Sequence, residues 1–270
     1  MEGYLQKGDC LVLMKDITDK SIDMILTDLP YGSTACAWDV IIPFDKLWEQ
    51  YNRIIKPKGA IVLFGQEPFS SLLRMSNLAN YKYDWIWDKG KGSNPLLAKK
   101  RPMSSFEKIS VFNAGIYYPQ MRQGKPYKAP RTGGAHSNRI VGRKRSDEQG
   151  DFKQKDNTEG LYYPLSILPF SIHCGSKLHP TQKPVELLEY LIKTYTLEGE
   201  TVLDSTMGSG STGVACISTN RNFIGMELDK NYFDMALNRL ESFKETGIDN
   251  YRLIDKKEKK REKMSLTKLV

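Results

Sequence analysis

Hydrophobic and polar positions alternate along the chain in blocks that predict strands and helices in turn. Short apolar runs, typical of buried parallel strands, occupy residues 21–26, 60–64, 201–203 and 223–226. Apolar residues at helical spacing occupy residues 43–55, 67–78, 184–195, 211–218 and 231–243. Further predicted elements are a lead-in strand at 4–6, a short helix from Cys10, and strands at 83–87 and 109–112. This order predicts an α/β fold.

The regular pattern is interrupted between residues 113 and 172. Glycine, proline, arginine and tyrosine dominate that stretch, and neither the strand period nor the helix period continues. A structureless loop of this length is unusual inside a compact domain, so we interpret residues 113–172 as an insertion. The lysine-rich residues 255–270 are expected to be a frayed basic tail. We therefore divide the chain into residues 1–112, 113–172, 173–254 and 255–270.

Composition argues against several classes of protein. Hydrophobic residues make up 40% of the 270 positions, and no apolar run approaches the ~20 residues that a membrane span needs. The four cysteines form no Cys-x-x-Cys pair, and the three histidines have no ligand spacing. We expect a cytoplasmic protein with reduced thiols, no metal site and no membrane partner.

Positive charge is concentrated in one stretch. Residues 89–145 contain fourteen lysines and arginines and a single acid, Glu107, whereas the whole chain has a net charge of +8. Such a block favours a polyanionic partner, and the aromatic residues and glycines within it argue against a merely solvated loop. The candidates for phosphate contacts are Lys89, Lys91, Lys99, Lys100, Arg101, Arg122, Arg131, Arg139 and Arg143.

The first candidate site follows the apolar run of residues 21–26, where the chain continues as Thr27-Asp28-Leu29-Pro30-Tyr31-Gly32. Proline cannot donate to a strand ladder and glycine permits a tight turn, so the strand ends here. A carboxylate and an aromatic ring are thereby placed at the carboxyl end of a buried strand, where open α/β sheets bind ligands. A plain strand-to-turn transition is the alternative interpretation.

The second candidate site lies between the predicted strand 201–203 and the predicted helix 211–218. It reads Asp204-Ser205-Thr206-Met207-Gly208-Ser209-Gly210-Ser211-Thr212-Gly213. The glycines let the backbone approach a ligand, and the helix N-terminus offers free N–H groups. Glu227 ends the next predicted strand, where an acid can bind two ribose hydroxyls. We infer a nucleoside site.

Two kinds of nucleoside ligand fit the glycine pattern. Gly208, Gly210 and Gly213 match the G-x-G-x-x-G pattern of dinucleotide sites, which suits NAD. Asp204 argues against NAD, because a carboxylate at the strand end would repel the pyrophosphate. It suits S-adenosylmethionine, which has a positive amino group, a sulfonium and a ribose but no phosphate.

Together these motifs resemble the β class of DNA amino-methyltransferases, of the N6-adenine kind. In that family a D-P-P-Y tetrapeptide comes first, a recognition segment follows, and the glycine-rich cofactor motif comes last. Here the same order is Asp28-Leu29-Pro30-Tyr31, the basic segment, and Asp204–Thr212. Two further cofactor-contacting segments of the family are matched by Gly8-Asp9 and by His179-Pro180-Thr181-Gln182-Lys183-Pro184. The resemblance covers nearly all of residues 1–243 outside the recognition segment.

The resemblance implies a doubly wound mixed sheet of the S-adenosylmethionine-dependent methyltransferase (Rossmann-like) type. Residues 1–112 would form its catalytic half, 113–172 the target-recognition insertion and 173–254 the cofactor-binding half. Double-stranded DNA is the implied partner, and a homodimer is left open. The implied cofactor ligands are Asp9, Cys10, Asp28, His179, Thr181, Lys183, Asp204, Gly208, Gly210, Thr212 and Glu227.

The implied catalytic residues are Asp28, Leu29, Pro30 and Tyr31. The adenine amine is a poor nucleophile because its lone pair is delocalised into the ring. The Asp28 carboxylate and the Leu29 carbonyl can accept hydrogen bonds from its two N–H groups, which would free that lone pair. Tyr31 would stack on the flipped base. The family's cytosine-N4 members usually carry serine in place of the aspartate, which favours adenine. N4-cytosine or RNA methylation, or a non-catalytic DNA-binding protein of the same fold, are the alternatives.

Two positions depart from the family pattern. Leu29 replaces the first proline of the tetrapeptide, and since only its carbonyl is needed we expect activity to survive. Ser205-Thr206 replaces the usual Pro-Phe of the cofactor motif. Because that phenylalanine helps to wall the site, this change predicts weaker cofactor binding than is usual in the family.

Overall fold

The structure is a computed structural model that describes residues 3–34, 39–93, 95–128, 156–171 and 182–249. Its strands are β1 (Gly3–Lys7), β2 (Ile22–Thr27), β3 (Ile55–Gly65), β4 (Tyr81–Ser93), β5 (Ser104–Phe112), β6 (Arg122–Gln123), β7 (Leu161–Tyr162), β8 (Ile167–Pro169), β9 (Thr201–Asp204) and β10 (Asn222–Glu227). Its α-helices are α1 (Cys10–Leu13), α2 (Phe44–Ile54), α3 (Phe69–Ser76), α4 (Val185–Tyr195), α5 (Ser211–Ser218) and α6 (Lys230–Thr246). Short 3₁₀ turns occupy Met14–Asp16 and Pro95–Leu97. Within these ranges no helix is long and apolar enough to cross a membrane.

The main sheet has the strand order β1-β10-β9-β2-β3-β5-β4-β8. Neighbouring strands are parallel except at β3–β5 and β5–β4, so β5 runs against the other strands described in this sheet. The chain continues from β2 to β3 on one side, whereas β9 leads to β10 on the other. The strand order therefore reverses between β2 and β9, and doubly wound sheets bind their ligands at such a point.

Side chains of the central strands alternate between two hydrophobic cores. In β2, Met24 and Leu26 pack in the core that contains residues of α4, α5 and α6. Ile25, between them, packs in the core that contains residues of α1, α2 and α3. Helices therefore cover both faces of the sheet, and the predicted doubly wound mixed sheet is confirmed.

Two compact units are present. The first contains the main sheet with its helices, and the second spans Pro119–Pro164. In the second unit β6 pairs antiparallel with β7, and Tyr127 forms an isolated bridge with Asn157. The rings of Tyr127 and Tyr162 lie 6.1 Å apart. This unit falls within residues 113–172, and the predicted division of the chain into domains stays a prediction.

Several predicted elements have different ends in the structure. The helix predicted over 43–55 ends at Ile54, and β3 begins at Ile55 rather than at Ala60. The intervening Lys-Pro-Lys-Gly reads as a helix stop, but Ile55 pairs with Ile22 and so extends the strand. The helix predicted over 67–78 is shorter and spans Phe69–Ser76.

β4 and β5 extend well beyond the predicted residues 83–87 and 109–112. Their polar ends pair with each other as an antiparallel hairpin, which supplies backbone hydrogen bonds whatever the side chains are. β8, which pairs with β4, was not predicted, because three residues are too few to show a period.

Candidate active site

Two loops that carry the predicted motifs meet at the carboxyl edge of the sheet. β2 ends at Thr27 and β9 at Asp204, and the two strands are hydrogen-bonded neighbours. The Thr27 hydroxyl donates to an Asp204 carboxylate oxygen and accepts from the Ser205 amide at 3.0 Å. The Thr206 hydroxyl donates to the Asp28 carbonyl oxygen at 3.0 Å. The fold thus joins two motifs that are far apart in the sequence.

A cavity of about 450 Å³ lies at these loops. Gly210 stands at the N-cap of α5 with a φ of 78°, a left-handed conformation that favours glycine. His179 and Thr181 lie outside the described residues, so their cofactor contacts stay predictions. The other residues predicted for catalysis or cofactor binding line the cavity, namely Asp9, Cys10, Asp28, Leu29, Pro30, Tyr31, Lys183, Asp204, Gly208, Thr212 and Glu227.

Around Asp28 in the cavity lining, a region that we call the Asp28 end, four charged groups and a tyrosine form a cluster; Glu107 and Lys89 of this cluster do not themselves line the cavity. Lys183 Nζ lies 2.5 Å from Asp28 Oδ2 and 3.1 Å from Glu107 Oε1. Lys89 Nζ lies 2.8 Å from Glu107 Oε2. The Tyr31 hydroxyl is within hydrogen-bond distance of Asp28 Oδ1 and of Glu107 Oε1. Two carboxylates and two ammonium groups leave this cluster, which we call the Asp28 cluster, without net charge.

Burial and charge pairing act in opposite directions within the Asp28 cluster. Burial raises the pKa of Asp28, although the Lys183 ammonium opposes the shift. Burial also disfavours an ionised Glu107, but Lys183 and Lys89 together lower the pKa of that carboxyl to about 2. Burial and the two carboxylates raise the pKa of Tyr31 well above its usual value. Glu107 therefore stays ionised and Tyr31 keeps its proton at neutral pH.

In a second region of the cavity lining, which we call its other end, two acids are held by neutral donors. Asp204 accepts hydrogen bonds from two threonine hydroxyls, that of Thr212 at 2.6 Å, and from a backbone amide. Glu227 accepts from the backbone amides of Gly208 at 2.9 Å and Asp229 at 2.8 Å. Within the described part of the chain neither acid forms an ion pair. Burial raises the pKa of both carboxyl groups, that of Asp204 to about 6. Because a pKa of about 6 lies below 7, the Asp204 carboxyl is still negatively charged at neutral pH.

The turn after β2 is shaped by an acid that no sequence pattern indicated. Asp39 accepts hydrogen bonds from the backbone amides of Gly32, Ser33 and Thr34 at 2.6–2.9 Å. Burial disfavours its charge, but the hydrogen bonds from the turn prevail and lower the pKa of Asp39. An ionised Asp39 therefore holds the loop that carries Asp28.

Known proteins resemble this chain along most of its length. The profile of the N6/N4 methyltransferase family, described as DNA methylase, matches residues 22–238. The chain belongs to the DNA methylase family. The predicted family resemblance is thereby confirmed.

Named relatives and a solved structure agree with this family. The type II methyltransferase M.HpaI of Haemophilus parainfluenzae is 30% identical over 260 residues, which cover 90% of this chain and 75% of that protein. The DNA adenine methyltransferase YhdJ of Escherichia coli (strain K12) is 27% identical over 246 residues, or 87% of this chain and 81% of that one. The crystal structure of an M1.HpyAVI–SAM complex matches with a TM-score of 0.57 at 24% identity, covering 88% of this chain and 99% of that chain. This last likeness shows the fold.

Several predicted residues of the methylase site have roles that its motifs do not reveal. Asp9 caps α1 by accepting a hydrogen bond from the Leu11 amide at 2.8 Å. Burial raises the pKa of Cys10 to about 12, so this thiol is protonated at neutral pH and is not a nucleophile. The Tyr31 ring lies 4.9 Å from the Phe69 ring, and its stacking on a base stays a prediction.

The Ser205-Thr206 departure is accommodated by hydrogen bonds. The Ser205 and Tyr51 hydroxyls lie 2.6 Å apart, and Thr206 bonds to the Asp28 carbonyl as described above. In this methylase, polar links therefore join the Asp204 loop to α2 and to the Asp28 loop at the positions where the resembling family has Pro-Phe. The predicted weakening of cofactor binding stays a prediction.

The predicted DNA contacts of the methylase fall into three groups. Those that are exposed in the first unit are Lys91, Lys99, Lys100 and Arg101, and Arg122 is exposed in the second unit. Outside the described residues lie Arg131, Arg139 and Arg143. Lys89 differs, because it is 7% exposed, paired with Glu107 and packed over the Trp87 ring at 5.0 Å. A buried, paired ammonium does not offer its charge to a phosphate, so Lys89 belongs to the Asp28 cluster rather than to the DNA contacts.

Glu107 is, besides Asp39, a site residue that sequence reasoning missed. A signal was present, since it is the single acid among the fourteen lysines and arginines of residues 89–145. An acid in such a stretch is explained when it neutralises buried lysines. Among the described residues no group of three or more histidine, cysteine or acidic side chains could hold a metal ion.

Proposed function

We propose that this methylase transfers a methyl group from S-adenosylmethionine to the N6 amine of an adenine flipped out of double-stranded DNA. One observation carries the proposal. The Asp28–Tyr31 motif and the loop that begins at Asp204 line the same cavity, with an acidic end beside a charge-balanced end. Membership of the DNA methylase family supports this reaction class.

The acidic end of the cavity fits a cationic nucleoside. Asp204 and Glu227 have hydroxyl and amide partners but no cationic partner among the described residues, so a positively charged ligand would balance them. Asp204, Glu227 and the Gly208 turn would hold the cofactor. When bound, S-adenosylmethionine supplies a methyl group activated by its sulfonium. NAD fits this end poorly, because its pyrophosphate would meet two carboxylates.

The Asp28 end fits a neutral base with an exocyclic amine. The Asp28 carboxylate accepts a hydrogen bond from one N–H group of the amine, and the Leu29 carbonyl accepts a hydrogen bond from the other. These two hydrogen bonds favour a pyramidal nitrogen with a free lone pair. Before the base arrives, the Asp28 cluster holds the Asp28 carboxylate, and Asp39 holds the loop that carries both acceptors. Catalysis then depends on positioning and electrostatics rather than on a covalent intermediate.

The remaining parts of the chain would serve DNA binding. The exposed lysines and arginine at 91–101 would contact phosphates, and base contacts would come from residues 113–172. The cost of flipping the base, a few kcal/mol, would be offset by stacking and hydrogen bonds in the pocket. We place the protein in the cytoplasm, and a homodimer stays a prediction.

The test is direct detection of the modified base. Purified protein, S-adenosylmethionine and plasmid DNA are incubated, and the DNA is hydrolysed and analysed by mass spectrometry while a second sample is sequenced with modification detection. We expect N6-methyladenine at one recurring sequence. N4-methylcytosine in its place would refute adenine as the target, and unmodified DNA together with methylation of an RNA sample incubated in parallel would refute DNA as the substrate. Asp28→Asn, which keeps the shape but removes the charge, is the matched control and should leave the DNA unmodified.

A further inference from the structure

Glu107 lies at the centre of the Asp28 cluster although it does not belong to the catalytic motif. It stands on β5 opposite Trp87 of β4, and only 3% of its surface is exposed. Its carboxylate contacts Tyr31, Lys183 and Lys89. Two of these partners, Tyr31 and Lys183, also contact Asp28. Glu107 can therefore act on Asp28 through both of them.

The hydrogen bonds of the cluster are limited by the single hydroxyl hydrogen of Tyr31. The Tyr31 hydroxyl has one hydrogen but lies within hydrogen-bond distance of two carboxylates, Asp28 and Glu107. It can therefore donate to only one of them at a time. When it donates to Asp28, both oxygens of that carboxylate have a donor from the protein, since Lys183 occupies the other. When it donates to Glu107, the Asp28 Oδ1 oxygen has no other side-chain donor among the described residues and is open to a ligand.

Of the two carboxylates in the cluster, Asp28 is the one that lines the cavity. Its side chain is 22% exposed, whereas those of Glu107 and Lys183 are 3% and 8% exposed. An open oxygen on Asp28 is therefore accessible to a ligand, while an open oxygen on Glu107 would not be. Since Lys183 and Lys89 keep Glu107 ionised, this carboxylate can accept a hydrogen bond from the Tyr31 hydroxyl throughout the neutral pH range.

We propose that Glu107 is a positioning residue of the methyl-transfer reaction: it accepts the hydrogen bond of Tyr31 and anchors Lys183, so that one Asp28 oxygen is open to the amine of the target base. The inference rests on the proposed function and extends it. Its physical basis is an exchange of acceptors. With Glu107 present, the Tyr31 hydroxyl can donate its hydrogen bond to Glu107 instead of Asp28 when the amine binds. Without Glu107, the half-buried hydroxyl would lose its acceptor at that moment.

The test is Glu107→Gln, measured by single-turnover methyl transfer over a range of pH. We expect the rate at neutral pH to fall about 10- to 100-fold, within the range of coupling between contacting groups, while cofactor and DNA dissociation constants change less than about threefold. The Glu107 charge raises the pKa of Asp28. Its removal should therefore move the acid limb of the rate profile to lower pH, which loss of a merely structural residue would not do.

Glu67→Gln is the matched control. Hydrogen bonds from Lys108 and Ser71 lower the pKa of Glu67 to about 2, like that of Glu107, but its ion pairs lie outside the Asp28 cluster. We expect this variant to keep both the rate and the acid limb. A folded Glu107→Gln variant with the rate and acid limb of the wild type would overturn the inference, as would equal losses of rate and of cofactor affinity.

A second variant covers the case in which Glu107→Gln does not fold. Glu107→Asp keeps the charge for Lys89 and Lys183 but withdraws the carboxylate from Tyr31. A lowered rate with unchanged cofactor affinity would support the inference, and a wild-type rate would refute it. A wild-type protein that leaves adenine unmodified would refute the proposed function as well, so the two failures are distinguishable.

Discussion

The two ends of the cavity hold buried acids in different ways. In the Asp28 cluster, Asp28 and Glu107 are paired with Lys183 and Lys89 at 2.5–3.1 Å. At the other end, Asp204 and Glu227 are held by hydroxyl and amide hydrogens alone among the described residues. The first end is electrically balanced before any ligand binds, and the second is not.

This difference indicates which ligand each end can accept. A buried carboxylate without a cation is costly, and a cationic ligand that pairs with it recovers that cost as binding free energy. A balanced cluster gains nothing from a ligand's charge, but it presents a fixed, oriented acceptor to a neutral group. The unbalanced end therefore suits a charged cofactor, and the balanced end suits a neutral base.

The largest expected effect is at Asp28. Asp28→Ala should lower the single-turnover rate of methyl transfer by roughly 10²–10³, comparable with removing one preorganised polar group from an active site. Cofactor and DNA binding should be largely kept, since the interaction with the amine strengthens mainly in the transition state. Rate and melting temperature are measured on the same sample. A lowered melting temperature with a near-normal rate would show that Asp28 only stabilises the turn.

The next effect is on cofactor binding at the unbalanced end. Asp204→Ala and Glu227→Ala should each weaken S-adenosylmethionine binding by on the order of 1.5–3 kcal/mol, the value of a charged hydrogen bond. Most of the DNA affinity should remain. Calorimetry with the cofactor and a DNA-binding assay on the same variants measure the two effects. Equal losses of both affinities would mean that these acids hold the fold rather than the ligand.

A smaller effect is expected from pH. Burial raises the pKa of Asp204 to about 6, and a bound cation would favour its ionised form. Cofactor affinity should therefore be constant above about pH 7 and fall, approaching tenfold per pH unit, as the pH drops below about 6. The pKa of Glu227 is also raised by burial, so protonation of this acid should lower cofactor affinity at low pH as well. In Asp204→Asn the decline near pH 6 should be lost, and an unchanged decline would remove Asp204 as its cause.

The smallest effect tests the link between the two ends. Thr206→Val removes the hydrogen bond to the Asp28 carbonyl. It should raise the activation free energy of methyl transfer by about 0.5–1.5 kcal/mol, which would be measured as a few-fold lower rate at saturating cofactor. Thr206→Ser keeps the hydroxyl and should restore the rate. If the serine variant is as slow as the valine variant, the methyl group of Thr206 matters rather than its hydrogen bond.

The periodic part of the fold and the places of the two motifs could be predicted from the amino-acid sequence alone. The strand predicted over residues 21–26 is β2, which spans Ile22–Thr27, and residues 211–218 form α5 with the predicted ends. Both are local properties, because a strand or helix period is present in consecutive residues and a motif at a strand end follows that strand in the chain. The meeting of the two motifs at one edge follows from the parallel sheet.

Which charged side chains pair with each other could not be predicted and became visible in the folded chain. Glu107 reaches Tyr31 across 76 positions of sequence, and Lys183 reaches Asp28 across 155. Lys89, which composition placed among the DNA contacts, is turned into the protein beside Glu107 on the neighbouring strand. The reason is that a side chain's partner and burial depend on strand order and register. These are set by packing of the whole sheet, so no neighbouring residue indicates whether a lysine meets a phosphate or a buried carboxylate.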